Sequence, residues 1–279
     1  MTTTSSEPRT QTDTWPGYRR PRMHGHVVFV TGGTRGIGAA ICRSFAEQGA
    51  VVAAGYSGNT ERAKEFLEEL KGHDVEASIH KGNVGSADDC RRTVEDVIDT
   101  HGRLDVLVNN AGITSDKPVL KMSDEDWNKV LAVNLSGAFF MSKAALPHMV
   151  ERGSGRIINI SSIIGSIGNI GQANYAASKS GLFGLTKTLA REACYYLGKE
   201  DKLEPAAIGV TVNTVAPGFI ATEMLETMPE KVLDKIRSDI PVRRLGRPDE
   251  IARVVHFLAS DYSSFITGQV WGVNGGHDM

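Results

Sequence analysis

Tyr175 and Lys179 are the two residues of this 279-residue sequence whose types and spacing point most directly to chemistry. They are four positions apart in a segment that reads as a helix, so both side chains should leave the same helix face and lie close together. A phenol normally keeps its proton until about pH 10, but a nearby ammonium favours the phenolate and lowers that pKa. The pair therefore predicts that Tyr175 acts as a general acid near neutral pH.

Ser162 lies at the end of a predicted buried strand, thirteen residues before Tyr175. Open α/β sheets bind ligands at the carboxyl ends of their strands, so a hydroxyl at that edge could hold a substrate carbonyl. A serine hydrolase is the rival interpretation. Ser162 lacks the Gly-x-Ser-x-Gly turn that exposes the nucleophile in such hydrolases, which favours carbonyl chemistry.

A glycine-rich turn, Thr31-Gly-Gly-Thr-Arg-Gly-Ile-Gly38, follows the first predicted strand. A turn in this place points the free N–H groups of the next helix at a phosphate, and its glycines let the backbone approach a pyrophosphate closely. The predicted dinucleotide-binding residues of this turn are Gly32, Gly36, Ile37 and Gly38. The spacing Gly-x3-Gly-x-Gly departs from the usual fingerprint, and a tight turn without a ligand is the alternative.

The second strand ends without the carboxylate that would accept hydrogen bonds from the ribose of NAD. Tyr56 and Ser57 stand there instead, and Arg35 lies inside the glycine turn. Because a guanidinium matches the oxygens of a 2′-phosphate, these three residues predict NADP(H) as the cofactor. A solvated surface arginine is the alternative for Arg35.

The scaffold that must position these residues is predicted from apolar runs that alternate with amphipathic stretches. This alternation predicts a single doubly wound α/β domain, residues 22–279, with a parallel sheet flanked by helices. The predicted strands are His26–Thr31, Val51–Gly55, Ala77–Lys81, Val106–Asn109, Arg156–Ser161, Val210–Val215 and Val270–Val273. The predicted helices are Ile37–Gln48, Thr60–Gly72, Ala87–His101, Ser123–Arg152 and Asn174–Leu197.

Composition excludes several classes of protein. The chain has 31 Lys+Arg against 33 Asp+Glu, a net charge of −2, which argues against nucleic-acid binding and intrinsic disorder. The apolar runs are of strand length, so no membrane span is expected. Three scattered cysteines, Cys42, Cys90 and Cys194, predict neither disulfides nor a metal site, and favour a cytoplasmic protein. Residues 1–21 are expected to form a flexible extension without a secretion signal.

Several motifs together resemble the short-chain dehydrogenase/reductase family across His26 to Gly276. They match that family in residue type, order and spacing: Thr31-Gly-x3-Gly-x-Gly38, Asn109-Asn-Ala-Gly112, Asn134, Ser162, Tyr175-x3-Lys179 and Pro217-Gly218. The resemblance implies one Rossmann-type domain with a seven-stranded parallel sheet, and subunits that assemble as homotetramers.

The resemblance also implies a role for each residue of a catalytic tetrad. Tyr175 would protonate the substrate oxygen while hydride leaves the nicotinamide, and Ser162 would orient the carbonyl. Lys179 would hold the nicotinamide ribose and lower the pKa of Tyr175. Asn134 would hold a water that links Lys179 to solvent.

The same resemblance predicts which residues line the cofactor. Adenine and its ribose would contact Asn83, Val84, Asn110, Ala111 and Gly112. The nicotinamide would be bordered by Pro217, Gly218, Ile220 and Thr222.

Within the family, the chain is most similar to reductases of 3-oxoacyl thioesters, with Gln172 and Phe219 beside the substrate. Acetoacetyl-CoA is the favoured substrate, and a 3-oxoacyl thioester of acyl carrier protein or another small ketone or alcohol is the alternative. A noncatalytic nucleotide-binding module is a further alternative, but the complete tetrad argues against it. Thr222–Asp239 would form a lid, with Lys231, Lys235 and Arg237 as candidates to meet the phosphates of CoA.

Two further expectations concern the surface. The stretch Leu197–Ile208 is longer than usual and should reach the amino end of the sixth strand, away from the chemistry, as a subunit contact or a surface elaboration. Tetramers would form by pairing the two long helices and by apposing the last strands. The small helix residues expected to permit close approach are Ala144, Ala145, Gly181 and Gly184.

Overall fold

The fold is built around one seven-stranded parallel sheet, which confirms the predicted doubly wound α/β class. The computed structural model describes residues 23–204, 207–223 and 229–279, so the predicted extension of residues 1–21 lies outside it. The strand order is β3-β2-β1-β4-β5-β6-β7, and every neighbouring pair is parallel. The strands are β1 Val27–Val30, β2 Val51–Tyr56, β3 Ala77–Lys81, β4 Val106–Asn109, β5 Ser154–Ile160, β6 Gly209–Pro217 and β7 Val270–Val273.

Nine α-helices accompany the sheet in the described residues. They are α1 Gly36–Ala46, α2 Thr60–Lys71, α3 Ala87–His101, α4 Asp124–Leu131, α5 Gly137–Arg152, α6 Ile164–Ile167, α7 Ala173–Lys199, α8 Glu230–Asp239 and α9 Pro248–Ala259. Strand β1 shows why helices must cover both faces: all four of its side chains are buried, so apolar groups point both ways. One layer of the core contains residues of α1 and α9, and the other contains residues of α3, α5 and α7.

Helices α4 and α5 form one helical run, joined by a π-helical turn over Ala132–Ser136. This run, Asp124–Arg152, is long and apolar enough to cross a membrane by length and composition alone, although no such segment was expected. In the domain, Met141, Ala145 and Met149 of this run are buried against the sheet layer, which is the packing of a core helix.

Helix α9 is absent from the predicted elements, although its signals are present in the sequence. Pro248 occupies the first turn, Glu250 bonds back to the N–H of Arg247, and apolar residues including Ile251 and Val255 recur at helical spacing. The short helix α6 was also not predicted. Strand β6 runs two residues beyond its predicted end, to Pro217.

The long stretch after α7 closes the amino end of the sheet, as its predicted position requires. Lys202 donates from Nζ to the carbonyl oxygens of Val150 (3.1 Å) and Glu151 (2.7 Å), the last turn of α5. The Val150 carbonyl also accepts from the N–H of Gly153 at 3.0 Å, and the ammonium supplies further donors to the carbonyls of this last turn and matches the negative end of the helix dipole.

The structure corrects part of the predicted subunit interface. Ala145 is fully buried inside the subunit, so it cannot contact another chain. Gly181 is half-buried, and its Cβ position lies 2.8 Å from Leu135 of the same subunit. Ala144 packs partly against the core. Gly184 faces open space, with nothing within 4 Å of its Cβ position.

Candidate active site

The predicted catalytic residues converge at the carboxyl edge of the sheet. Ser162 lies two residues after the end of β5, while Tyr175 and Lys179 lie on α7 and Asn134 lies in the π-helical turn. Helix α7 is fixed to β5 by Ser161, whose Oγ donates to the carbonyl oxygen of Lys179 at 2.7 Å. The sheet edge and the helix therefore hold the four side chains relative to one another.

The Ser162 hydroxyl is near enough to the Tyr175 phenol to affect its pKa, and the Nζ of Lys179 lies 5.6 Å from the centre of the Tyr175 ring. The predicted lowering of the Tyr175 pKa is wrong for this arrangement. Burial raises the pKa above its usual value, the Ser162 hydroxyl lowers it in part, and the charge of Asp116 raises it further. The phenol therefore keeps its proton at neutral pH.

Lys179 is 4 % exposed and donates from Nζ to the carbonyl oxygen of Ile160 at 2.8 Å. Burial without a carboxylate partner lowers its pKa to about 8. A Cβ on Gly112 would lie 3.4 Å from this Nζ, so the backbone at Gly112 approaches the ammonium closely. Any larger residue at position 112 would crowd the lysine.

Asn134 is 2 % exposed and uses both ends of its amide to join the loop at Ile113 to α7. Its Oδ1 accepts from the N–H of Ile113 at 2.8 Å, and its Nδ2 donates to the carbonyl oxygen of Ile113 at 3.0 Å and to Oγ of Ser178 at 3.1 Å. The extra residue of the π-helical turn aims this side chain inward.

Asn174 is a positioning residue that sequence analysis missed. It is fully buried; its Oδ1 accepts from the N–H of Tyr175 at 2.7 Å, and its Nδ2 donates to the carbonyl oxygens of Ser115 and Asp126, both at 3.1 Å. These bonds fix the start of α7, one residue before the reactive phenol. An asparagine at a predicted helix start was the available signal.

The glycine turn is held by the segment after β4. Asn110 donates from Nδ2 to the carbonyl oxygens of Thr31 (3.0 Å) and Gly32 (3.1 Å), and the Thr31 hydroxyl accepts from the N–H of Ala111 at 3.0 Å. A Cβ on Gly38 would overlap the Gly32 carbonyl and lie 2.6 Å from Nδ2 of Asn110. Only glycine fits there, which agrees with a close helix–strand turn.

The start of α1 fits a pyrophosphate by the chemistry of its donors. Its first turn carries no acidic side chain, and no side chain caps it. Gly36 has φ +53°, and the nearest atom to its Cβ position is the methyl of Thr222 at 3.8 Å, so space remains in front of these N–H groups. Free donors at the positive end of a helix dipole suit an anion.

The tip of β2 carries more positive charge than was predicted. Arg35 and Ser57 are exposed and Tyr56 is half-buried. Arg62, in the first turn of α2, was not among the predicted residues; it forms a two-pronged ion pair with Glu223, with Nη1 to Oε2 at 3.2 Å. The feature of the sequence that could have identified Arg62 is its position in the first turn of the helix that follows β2.

A cleft of about 400 Å³ opens beside this tip. It is lined by Ser57, Lys81, Gly82, Asn83, Asp89 and Arg92. The Oδ1 of Asn83, a residue predicted to contact adenine, accepts from the N–H of Gly85 at 3.0 Å. Val84 lies behind it, where its carbonyl oxygen accepts from Sγ of Cys90.

The segment after β6 borders the opposite end of the site. The carbonyl oxygen of Pro217 accepts from the N–H of Ile163 at 2.8 Å, and Gly218 donates to the carbonyl oxygen of Val273 at 3.0 Å. Ile220 forms a bridge with Gly246. These contacts place the predicted nicotinamide residues between the end of β5 and the end of β7.

The two predicted substrate residues have partners of their own. Gln172 donates from Nε2 to Asp116 at 3.0 Å and accepts from Asn169 at 2.8 Å. Phe219 stacks on His277, with ring centres 5.8 Å apart. Asp116 was not predicted, yet it is the charged group that acts on Tyr175.

The predicted lid is described in part: α8 covers Glu230–Asp239, and residues 224–228 lie outside the described ranges. Of its three candidate cations, Arg237 is already paired, with Nη1 to Glu230 at 2.6 Å and to Asp234 at 2.8 Å. The assignment of Arg237 to a CoA phosphate stays a prediction, and a phosphate would have to displace these exposed carboxylates. Lys231 and Lys235 are exposed.

Within residues 23–204, 207–223 and 229–279, no group of three or more His, Cys, Asp or Glu side chains could hold a metal ion.

Comparison with known proteins gives consistent relatives. A family model described as enoyl-(acyl carrier protein) reductase matches residues 32–278. The 3-oxoacyl-[acyl-carrier-protein] reductase FabG of Thermotoga maritima is 44% identical over 255 residues, 91% of this chain and 98% of that protein. FabG of Staphylococcus aureus is 43% identical over 252 residues, which cover 90% of this chain and 98% of that protein. An acetoacetyl-CoA reductase of Rhizobium meliloti is 48% identical over 251 residues, which cover 90% of this chain and 97% of that protein.

Proposed function

Because the chain belongs to the short-chain dehydrogenase/reductase family of oxidoreductases, we propose that it reduces a 3-oxoacyl thioester to the (R)-3-hydroxyacyl thioester with NADPH. Acetoacetyl-CoA is the favoured substrate. The observation that carries the proposal is the buried ammonium of Lys179, 5.6 Å from the centre of the Tyr175 ring, next to a phenol whose pKa the Ser162 hydroxyl influences. Relatives that are named for acetoacetyl-CoA and for 3-oxoacyl carrier-protein thioesters support the substrate class.

In this proposal Ser162 and Tyr175 bind the substrate carbonyl oxygen together. The bound nicotinamide supplies the hydride. Tyr175 donates its proton to the developing alkoxide, and its raised pKa keeps it in the phenol form that a donor needs. A positive charge on Lys179 stabilises the phenolate left behind. Asn134 fixes the loop and helix around Lys179, and carries the predicted water link to solvent.

The cofactor lies across the carboxyl edge of the sheet in this proposal. The N–H groups of α1 bind the pyrophosphate, and Arg35 with Tyr56 and Ser57 binds the 2′-phosphate. Arg62 adds a second guanidinium at the same tip of the sheet. Arg35→Ala should lower the ratio of NADPH to NADH catalytic efficiency at least tenfold, measured as kcat/KM, and an unchanged ratio would contradict the phosphate assignment.

A carrier-protein thioester is the second candidate substrate, because several curated relatives are named for it. A carrier protein is acidic, and complementary positive charge at the mouth raises the rate of association. Two exposed lysines on α8, Lys231 and Lys235, are enough for the phosphates of CoA but make a sparse surface for a protein. This balance favours CoA.

We also place the enzyme in the cytoplasm as a homotetramer. Edge strand β7, with Val270 37 % exposed, supports apposition of the last strands. Trp127 and Phe139 stay 37 % and 41 % exposed on α4 and α5, which supports pairing of these helices.

The deciding experiment compares kcat/KM for acetoacetyl-CoA and for the same acetoacetyl group on acyl carrier protein, each with NADPH. A higher value for CoA is expected. A carrier-protein value tenfold higher would assign the enzyme to fatty-acid elongation, and activity on neither thioester would reject this substrate class.

A further inference from the structure

The ion pair between Arg62 and Glu223 joins two parts of the chain that are 161 positions apart. Both terminal nitrogens of the guanidinium donate to the two carboxylate oxygens. Arg62 lies in the first turn of α2, where Asn59 caps the helix by accepting from the Arg62 N–H at 3.0 Å. The fork of this arginine is therefore held at the tip of β2.

Glu223 reaches this tip from the other side of the proposed cofactor cleft. It directly follows Thr222, whose methyl is the nearest atom to the Cβ position of Gly36 in the glycine turn. The side chain of Arg35, the residue before Gly36, makes no hydrogen bond within the described residues. Its charge still acts on Glu223: the bond from Arg62 is the main cause of the lowered pKa of this carboxyl, and Arg35 adds to it.

A guanidinium fork matches the oxygens of a carboxylate and of a phosphate with the same two parallel N–H bonds. The Glu223 carboxylate therefore makes on Arg62 the contacts that a phosphate monoester would make. The two side chains are 40 % and 52 % exposed, and ion pairs this exposed are weak, so a dianion can displace the carboxylate.

We propose that Glu223 is an internal competitor for the 2′-phosphate of the cofactor: its carboxylate occupies the Arg62 fork and sets how strongly the protein discriminates phosphorylated from unphosphorylated dinucleotides. This inference rests on the proposed use of NADP(H). Binding of the 2′-phosphate must break the Arg62–Glu223 pair, so part of the binding free energy of the phosphate is used to displace the carboxylate. Glu223 is thus a specificity-determining residue that does not itself bind the cofactor.

Isothermal titration calorimetry on the full chain tests this without turnover, using NADP⁺, NAD⁺, 2′,5′-ADP and 5′-AMP as probes. Glu223→Gln keeps the shape of the side chain and removes its charge. The variant should bind NADP⁺ and 2′,5′-ADP about three- to tenfold more tightly, the scale of one exposed ion pair, and should bind NAD⁺ and 5′-AMP as the wild type does.

A matched control is available on the same helix. Glu69 lies on α2, two helical turns after Arg62, and forms a two-pronged ion pair with Arg43 of α1. The distance from Nη2 of Arg43 to Oε2 of Glu69 is 3.0 Å, and the two side chains are 43 % and 45 % exposed. Glu69→Gln removes the same kind of interaction and should leave all four affinities unchanged. In the Arg62→Ala background, Glu223→Gln should lose most of its effect on NADP⁺, because the fork for which it competes is absent.

The outcomes separate the two proposals. If the wild type binds NAD⁺ as tightly as NADP⁺, and 5′-AMP as tightly as 2′,5′-ADP, the proposed cofactor is wrong. If the wild type prefers the phosphorylated ligands but Glu223→Gln binds them with equal or lower affinity, the cofactor proposal stands and the competition is refuted. An equal gain for NAD⁺ and NADP⁺ would also refute it.

Discussion

Burial acts in opposite directions on the two reactive side chains of α7. It raises the pKa of Tyr175 and lowers that of Lys179 to about 8, because in each case the charged form loses its hydration. At neutral pH the phenol is protonated and the lysine carries a charge. This pair of states suits proton donation to a carbonyl oxygen, which is the direction of reduction.

Replacement of the phenol should separate chemistry from binding. Tyr175→Phe removes the proton donor but keeps the ring, so we expect kcat for reduction to fall at least about a hundredfold, the usual contribution of a positioned general acid. The Kd for NADPH should change less than threefold in fluorescence titration. A variant that keeps a tenth of the normal kcat would contradict the assigned role.

The buried ammonium should leave a signature in the pH dependence of stability. The pKa of Lys179 lies near 8 in the folded protein, below the usual 10.5. Burial of the charged ammonium therefore lowers the free energy of unfolding at neutral pH. This penalty decreases as the pH rises and disappears above the pKa of the unfolded chain. The wild type should therefore gain about 2 to 3 kcal/mol over Lys179→Met between pH 7 and pH 10. Urea unfolding of both proteins at both pH values measures this difference.

In that experiment the loss of the bond to the Ile160 carbonyl affects the variant equally at every pH and cancels. A difference between the two proteins that does not change with pH would contradict the lowered pKa.

At the scale of single elements, the edge strand β3 is held to α3 by a chain of polar side chains. Oγ of Ser78 bonds to Nε2 of His80 at 2.8 Å and to Nε2 of His101 at 2.7 Å, and Nδ1 of His101 lies 2.7 Å from Glu76. A serine hydroxyl has one donor and two acceptor lone pairs, so Ser78 can donate to one ring nitrogen and accept from the other, or accept from both. The hydroxyl therefore joins a ring on β3 to a ring on α3.

Acid should weaken the hydrogen bonds that join β3 to α3 through Ser78. Burial lowers the pKa of His80, the nearby His101 lowers it further, and Asp96 opposes both. A histidine with a folded pKa below its unfolded value loses stability as pH falls through 6.5. We expect the wild type to lose more unfolding free energy than His80→Gln between pH 7.5 and pH 5, measured by urea unfolding, whereas the exposed His73→Gln should follow the wild type.

The sequence was sufficient for the elements whose signals are local. Strands β1 to β5 were placed within two residues at each end because their apolar runs are short and bounded, and Tyr175 and Lys179 because they share a helix turn. Helix α9 was not predicted, although Pro248 and Glu250 mark its start in the sequence. The pairing of Arg62 with Glu223 depends on residues 161 positions apart, which no local pattern encodes. The direction of the Tyr175 pKa shift could not be predicted from the sequence, because it depends on how deeply the phenol is buried.

At the scale of the whole molecule, the surface that remains apolar defines a test of assembly. Phe139 and Trp127 on the α4–α5 run and Val270 on β7 lie on the elements through which we propose that subunits meet. Light scattering at micromolar concentration should give the mass of four chains. Phe139→Glu should shift that mass toward smaller species, since a charge buried in an interface is costly, and a monomeric wild type would refute the tetramer.

The division into a flexible tail, residues 1–21, and one domain from residue 22 stays a prediction. Seven strands drawn from residues 27–273 share one sheet, which supports a single domain over that range. Limited proteolysis followed by mass spectrometry would detect an early cut near the start of the sheet domain.

Of the seven strands of this sheet, β1 leaves the ribosome first, and it lies inside the finished sheet. Strands β2 and β3 add in turn on one side of it, and β4, β5, β6 and β7 add in chain order on the other. Each new strand therefore meets a partner that has already been synthesised, so the domain can grow outward during translation. A chain that stops before Val270 leaves β6 unpaired along one side. Residues 210–217 of β6 are all buried in the complete domain, so such a fragment would present an apolar edge on which other chains can aggregate.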